Sequence, residues 1–231
     1  MQAISSLSKT VSVFTTTFDY LQKSEHGVAT KQELARLWAG DILTKVGVSA
    51  EIVGVPSLET PLLLVGNHVS YLDIPLLMHS SPNISFVAKE EVGRWPVIGA
   101  GARALNTIFV KRSCAKERAQ VRAALGRELV SGKRVAVFPA GTTCMFESKP
   151  WRKGAFEIAK EFGIQVQPFR IRYTPARTAA YIGRDFFPLH LFRLAQNGGV
   201  KAKIEFHPPI TIEDPQKASW TWRSWSQTFE W

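Results

Sequence analysis

Apolar and polar positions alternate in two rhythms along this chain, and the rhythms predict its elements. Short apolar runs at 61–65, 84–88, 107–111, 134–138 and 166–172 read as strands. Between them, helical spacing predicts helices at 74–80, 91–104, 115–131 and 152–162. A further amphipathic helix is predicted over 31–46, where Leu34, Leu37, Trp38, Ile42 and Val46 recur with Lys31, Glu33 and Arg36 between them. Residues 200–206 alternate strictly and predict a half-exposed strand near a sheet edge. The first 30 residues are rich in Ser and Thr and predict only a short helix near 11–21. Strand followed by helix, several times over, predicts an α/β fold. Its central sheet is mainly parallel and flanked by helices, with a short N-terminal helical segment. The expected division is 1–50 for that segment, 51–210 for the main domain and 211–231 for a Trp-rich C-terminal tail.

Composition agrees with a folded domain. The 231 residues are 45% apolar and 21% charged, which excludes a disordered or collagen-like chain and suits one large domain. No run approaches the roughly 20 apolar residues of a membrane-spanning helix. A basic segment leading into an apolar core is missing at the start, so no signal peptide is predicted. Two cysteines, Cys114 and Cys144, cannot build a disulfide framework and predict a reducing compartment. Charge changes the picture more. Lys and Arg number 29 against 19 Asp and Glu, a formal net charge of +10. The excess is concentrated in 111–134, where Lys111, Arg112, Lys116, Arg118, Arg122, Arg127, Lys133 and Arg134 face only Glu117 and Glu128. Such a patch suits nucleic acid, anionic lipid or a phosphorylated small molecule, or it is a solvated helix face.

Candidate chemistry gathers where the strands end, the place at which open α/β sheets hold their ligands. Gly66-Asn67-His68-Val69-Ser70-Tyr71-Leu72-Asp73 follows the run at 61–65. Lys111-Arg112 closes the run at 107–111, and Pro139-Ala140-Gly141-Thr142-Thr143 follows the run at 134–138. His68 is the candidate general base. Asp73, five residues on, could hold one ring nitrogen and leave the other free to accept a proton. The same residues also have the form of a capping box, with Asp73 as a helix cap. Lys111 and Arg112 could clamp a phosphate. Gly141, Thr142 and Thr143 offer N–H groups and hydroxyls to an oxyanion, or they form an ordinary turn. Lys153, ahead of a predicted helix, is a further anion contact or a surface lysine.

Together these residues form a recognisable set. Asn67-His68-Val69-Ser70-Tyr71-Leu72-Asp73 resembles the N-H-x-S-x-x-D block of glycerolipid acyltransferases of the lysophosphatidic acid acyltransferase type. Ala88-Lys89-Glu90-Glu91 with Trp95-Pro96 and Gly99, then Ile108–Arg112, are similar to the connecting stretch and second block. Val137-Phe138-Pro139-Ala140-Gly141-Thr142 resembles the F-P-E-G-T block. Trp151-Arg152-Lys153-Gly154-Ala155 and the run at 166–172 follow in the family's order. The resemblance implies an acyltransferase domain over 51–210. It implies acyl transfer from acyl-CoA or acyl-carrier protein to the hydroxyl of a lysophospholipid, with no bound cofactor and no metal. By the same resemblance His68 and Asp73 are catalytic, and Asn67, Ser70, Lys111, Arg112, Pro139, Gly141, Thr142 and Lys153 contact substrate.

A lysolipid sits partly in a bilayer, so the expected location is peripheral, on the cytoplasmic face of an anionic membrane. The helix at 31–46, the segment at 11–21, the basic patch and the Trp-rich tail are candidate contacts. The tail's rings could instead cover the domain's own apolar surface. No DNA- or RNA-binding motif occurs, so nucleic acid is not an expected partner. Alanine at 140 stands where the family has Glu. It leaves open a different acceptor such as a lyso-aminolipid, a substitute acid such as Glu147, or a weakly active lipid-binding relative. Ala140→Glu is expected to change rate or acceptor preference when kinetics are compared across several lysolipids. Unchanged kinetics would remove residue 140 from the acceptor question.

Overall fold

The structure is a computed structural model that describes all residues except 1, 28, 82, 96, 111–114, 147 and 229–231, and omits the side chains of 2–5 and 115–118. The expectations placed on Lys111, Arg112, Cys114 and Glu147 therefore lie outside the described residues. In chain order the strands are β1 (Val48–Val53), β2 (Leu62–Gly66), β3 (Ile84–Lys89), β4 (Ile108–Val110), β5 (Arg134–Val137), β6 (Val166–Thr174) and β7 (Val200–Phe206). The helices are α1 (Gln2–Glu25), α2 (Lys31–Lys45), α3 (Asp73–Ser80), α4 (Ile98–Ala104), α5 (Ala115–Val130), α6 (Gly154–Glu161), α7 (Ala176–Ala179), α8 (Phe187–Gln196) and α9 (Pro215–Gln227).

Among the described residues the strands form one sheet in the order β1-β7-β6-β2-β5-β3-β4. Pairing is parallel from β6 through β4, and β1 is parallel to β7; only β6 and β7 run antiparallel. The mainly parallel α/β architecture is thus as the sequence predicts. Leu62, Leu63, Leu64 and Val65 of the central strand β2 are all inaccessible to solvent. A continuous apolar run is what a strand covered on both faces requires. Leu62 and Leu64 join a core with Leu43 of α2, Leu76 and Leu77 of α3, and Leu191 and Leu194 of α8. Leu63 and Val65 join the opposite core, with Leu125 and Leu129 of α5 and Phe156 and Ile158 of α6.

The N-terminus departs from its expectation. Residues 2–25 form one long helix rather than a short one near 11–21. Ser and Thr normally compete with helical backbone, but here their hydroxyls bond back to carbonyls one turn earlier. Thr10 donates to Ser6 O at 2.9 Å and Thr17 to Val13 O at 2.8 Å. α2 starts as a capping box, with Thr30 and Glu33 bonded reciprocally. It turns Leu34 and Ile42 inward as predicted but leaves Leu37 exposed. The two helices are joined by Trp38 Nε1 to Thr17 Oγ1 at 3.0 Å and Tyr20 Oη to Asp41 Oδ2 at 2.9 Å.

Other elements needed the tertiary structure. The predicted helix at 91–104 is a 3-10 turn over Glu90–Arg94 followed by α4. A proline at 96 has no N–H to continue a helical ladder. A Cβ on Gly99 would lie 2.2 Å from Gly93 O, so the two turns meet where only glycine fits. β1 was not predicted; it straddles the expected boundary between 50 and 51 and pairs with β7, which is therefore one strand in from the edge. The Trp-rich tail is mostly helix α9, capped by Asp214 Oδ1 accepting from the N–H groups of Gln216 and Lys217. Trp222 and Trp225 pack around His207, and Arg170 stacks on Trp225 at 4.3 Å. Those two rings cover the domain itself, while Trp220 is 66% exposed.

The basic patch is partly spent inside the protein. Arg134 is buried and donates to Ser57 O and Ser81 Oγ. Arg122 pairs with Glu157 at 2.9 Å and with Glu161 at 2.5 Å, and Lys133 pairs with Glu128.

β2 ends at Gly66, immediately before the first candidate block. A Cβ there would meet the Phe169 ring at 2.3 Å and Phe169 O at 2.5 Å. Gly66→Ala must therefore push β2 from β6. The expected outcome is a loss of about 1–3 kcal/mol in urea unfolding, with activity reduced because His68 is displaced.

Candidate active site

The loop leaving β2 folds around one carboxylate. Asp73 is fully buried at the start of α3. Its Oδ2 accepts from His68 Nδ1 at 2.7 Å, from Val69 N at 2.7 Å and from Ser70 N at 3.1 Å. Its Oδ1 accepts from the Tyr173 hydroxyl at 2.7 Å. The capping box does not form: Leu72 occupies the cap position without a side-chain bond. Asp73 instead closes the His68–Ser70 turn upon itself. Donation from Nδ1 to a carboxylate leaves Nε2 of the neutral imidazole as the acceptor. The His68 side chain is 20% exposed and lines the cavity described below. Its ring stacks on Phe138 with centroids 4.0 Å apart and planes 15° from parallel.

Asn67 is a brace rather than a cavity contact. Its Nδ2 donates to Ile171 O at 2.8 Å and its Oδ1 accepts from Ile171 N at 2.7 Å. Ser70 is also fully buried, and its hydroxyl meets no partner among the described residues.

The third block approaches from the end of β5. Gly141, at φ +71°, turns the chain and gives its N–H to Phe138 O at 3.0 Å. That N–H is thus spent on the turn. Thr142 and Thr143 stand beside the cavity, and Thr143 Oγ1 donates to Tyr181 O. Cys144 N donates to His68 O at 2.8 Å, joining this loop to the first block. Pro139 is buried and does not line the cavity. Ala140, 8% exposed, packs with Leu63, Val65 and Trp151 in the core on the other face of the sheet. Lys153 is exposed and pairs with Glu157 at 3.3 Å. It is not among the residues lining the cavity.

His68, Gly141 and Thr142 share the rim of a cavity of about 510 Å³. Its walls are mainly apolar: Val13 and Leu21 of α1, Trp38 and Ile42 of α2, Ile98 of α4, and Phe187 and Leu191 of α8. Lys89, exposed at the end of β3, is a cation on the same lining that sequence reasoning had quoted in a motif but not assigned. Tyr71 and Tyr181 line it too. Tyr71 donates to His190 Nδ1 at 3.0 Å, and His190 Nε2 donates to Ala180 O at 2.9 Å. Burial holds His190 below the usual histidine range and pushes Tyr71 well above the usual phenol range. This pair is therefore neutral and fixed in one tautomer near pH 7. No group of His, Cys, Asp and Glu among the described residues is arranged to hold a metal.

The Acyltransferase family matches residues 43–172, more than half of the chain. The chain belongs to the acyltransferase family. This acyltransferase is 32% identical over 193 residues to the lyso-ornithine lipid O-acyltransferase of Pseudomonas aeruginosa, covering 81% of this chain and 74% of that one. It is 30% identical over 209 residues to the Brucella abortus protein of the same name, covering 81% and 78%. It is also 30% identical over 172 residues to the 1-acyl-sn-glycerol-3-phosphate acyltransferase of Neisseria meningitidis serogroup B, covering 71% and 67%. The crystal structure of the 1-acyl-sn-glycerophosphate acyltransferase PlsC from Thermotoga maritima has the same fold. Its TM-score is 0.74 at 19% identity, covering 98% of this chain and 95% of that one. The acyltransferase reading made from the sequence is therefore confirmed.

Asn67→Ala separates bracing from substrate contact. Loss of both bonds to Ile171 leaves buried peptide groups unpaired, and about 1–3 kcal/mol of stability is expected to go. Thermal unfolding measures it; a fully stable variant with only a raised KM would make Asn67 a substrate contact.

Proposed function

We propose that His68 and Asp73 catalyse transfer of a fatty acyl group from acyl-CoA or acyl-carrier protein to a lysolipid hydroxyl. The observation carrying this reading is the 2.7 Å His68–Asp73 contact at the rim of a mainly apolar cavity. Nε2 of His68 takes the hydroxyl proton as the oxygen attacks the thioester carbonyl carbon. A new C–O bond forms and the carbonyl becomes an oxyanion. Collapse of that intermediate breaks the C–S bond, and the imidazolium returns its proton to the departing thiolate. Asp73 keeps the ring in the required tautomer and favours the imidazolium. The N–H groups of Thr142 and Thr143, which have no partner among the described residues, are the candidate oxyanion donors. A thioester is already activated, so this chain's own residues suffice for the step.

The cavity walls suit the hydrocarbon of an acyl chain, and Lys89 offers a charge to an anionic headgroup. The first acceptor is of the lysophosphatidic acid type, with Lys111 and Arg112 assigned to its phosphate by the family resemblance. Lyso-ornithine lipid is the second. It is favoured by the Pseudomonas and Brucella relatives, which bear that name.

Access from a bilayer explains the outer surface. Leu7, Val11 and Phe18 are exposed along α1 and Leu37 along α2, and these two helices form a wall of the cavity. No helix among the described residues is long and apolar enough to cross a membrane. Contact is therefore proposed to be peripheral, on the cytoplasmic face, with Trp220 as a further anchor.

Purified protein supplied with acyl-CoA or acyl-carrier protein should release free thiol only when lysolipid is present. His68→Ala should slow release by about 10²–10⁴-fold. Offering lysophosphatidic acid and lyso-ornithine lipid in the same micelles identifies the acceptor. Thiol release that ignores both lysolipids would overturn the proposal.

A further inference from the structure

The catalytic carboxylate is held from two directions. Locally, the Val69 and Ser70 N–H groups and His68 all reach Oδ2. From 100 residues away, the Tyr173 hydroxyl reaches Oδ1 at 2.7 Å. Tyr173 lies on β6, and alternate residues of a strand share a face. Phe169, Ile171 and Tyr173 accordingly all enter the core beneath α3. Ile171 is also the residue whose peptide groups hold Asn67. The first block is therefore fastened to β6 at two successive positions on one face, through the Asn67 side chain and through Asp73.

Tyr173 is 1% exposed and does not line the cavity. Its hydroxyl is the one donor that meets Oδ1 among the described residues. A buried carboxylate oxygen without a donor is costly, and losing the donor raises the carboxylate's affinity for protons. We propose that Tyr173 is a positioning residue for acyl transfer: its hydroxyl holds Asp73 oriented so that His68 acts as base. This rests on the reading of His68 and Asp73 given above. Burial and the neighbouring Asp73 hold the phenol well above its usual range, so it serves as a donor throughout the working pH range. The other titratable groups nearby are Tyr71 with His190 of α8, Tyr181, and Asp185 paired with Arg177. Arg193 of α8 also acts on His190.

Tyr173→Phe removes one oxygen and keeps the ring. The expected kcat/KM at neutral pH falls about tenfold, the scale of one lost hydrogen bond to a charged group. The loss is in kcat, with KM for lysolipid unchanged. The acid limb of the pH–rate profile moves to higher pH, because protons now compete better for the His68–Asp73 pair. Tyr173→3-fluorotyrosine, a stronger donor of nearly the same shape, moves that limb the opposite way. It also carries the test if the phenylalanine variant fails to fold. A readout independent of turnover is the downfield proton resonance of His68 Nδ1–H. With Oδ1 deprived of its donor, negative charge concentrates on Oδ2, and the resonance moves further downfield in Tyr173→Phe. An unmoved acid limb with an unmoved resonance overturns the assignment, as does a rate loss equal at every pH. A wild-type protein that acylates no lysolipid would instead overturn the acyl-transfer reading, and the resonance would still report on Tyr173.

Discussion

A single buried carboxylate organises this protein. Asp73 has no access to water, and an unpaired charge in that position would be prohibitively costly. Four donors meet it: two peptide N–H groups, an imidazole and a phenol. They come from the loop after β2 and from β6, so satisfying the charge fixes how that loop sits on the sheet. His68 gains its orientation as a result. The hydrogen bonds that make the carboxylate tolerable in the core are also the ones that orient the imidazole.

The rest of the molecule serves this loop or the space in front of it. Gly66 lets β2 lie against Phe169 at a distance no side chain allows. Asn67 ties the loop to Ile171, and Cys144 N ties the third block to His68 O. Phe138 backs the imidazole from below. On the other side, α1, α2, α4 and α8 enclose an apolar space that opens on the same ring. The imidazole is thus a polar group on the lining of a mainly apolar cavity.

The clusters read from the sequence divide by which face of the sheet they occupy. His68, Gly141 and Thr142 reach the cavity. Ala140, one residue earlier, packs into the opposite core, and Lys153 lies on the surface with Glu157. Gly141, at φ +71°, turns the chain between Ala140 and Thr142, so a contiguous motif need not be a contiguous site. Likewise, the cations between 111 and 134 looked like one patch. Arg122, Lys133 and Arg134 have partners that lie far off in sequence or in other elements, and pairing removes them from the free surface charge.

The sequence by itself determined the α/β alternation and placed His68 five residues from Asp73 after an apolar run, because each is written in local spacing; that the two side chains pair was decided by the fold. A period of two or 3.6 and a five-residue interval need no knowledge of distant chain. The tertiary structure alone decided the length of α1, whose Ser and Thr hydroxyls look like helix breakers until their backbone bonds are seen. It alone decided that β1 joins β7 and that Trp222 and Trp225 cover the domain. It also placed Tyr173 on Asp73, a contact spanning 100 residues. Such contacts depend on which faces of distant elements meet, and only the packed chain sets that.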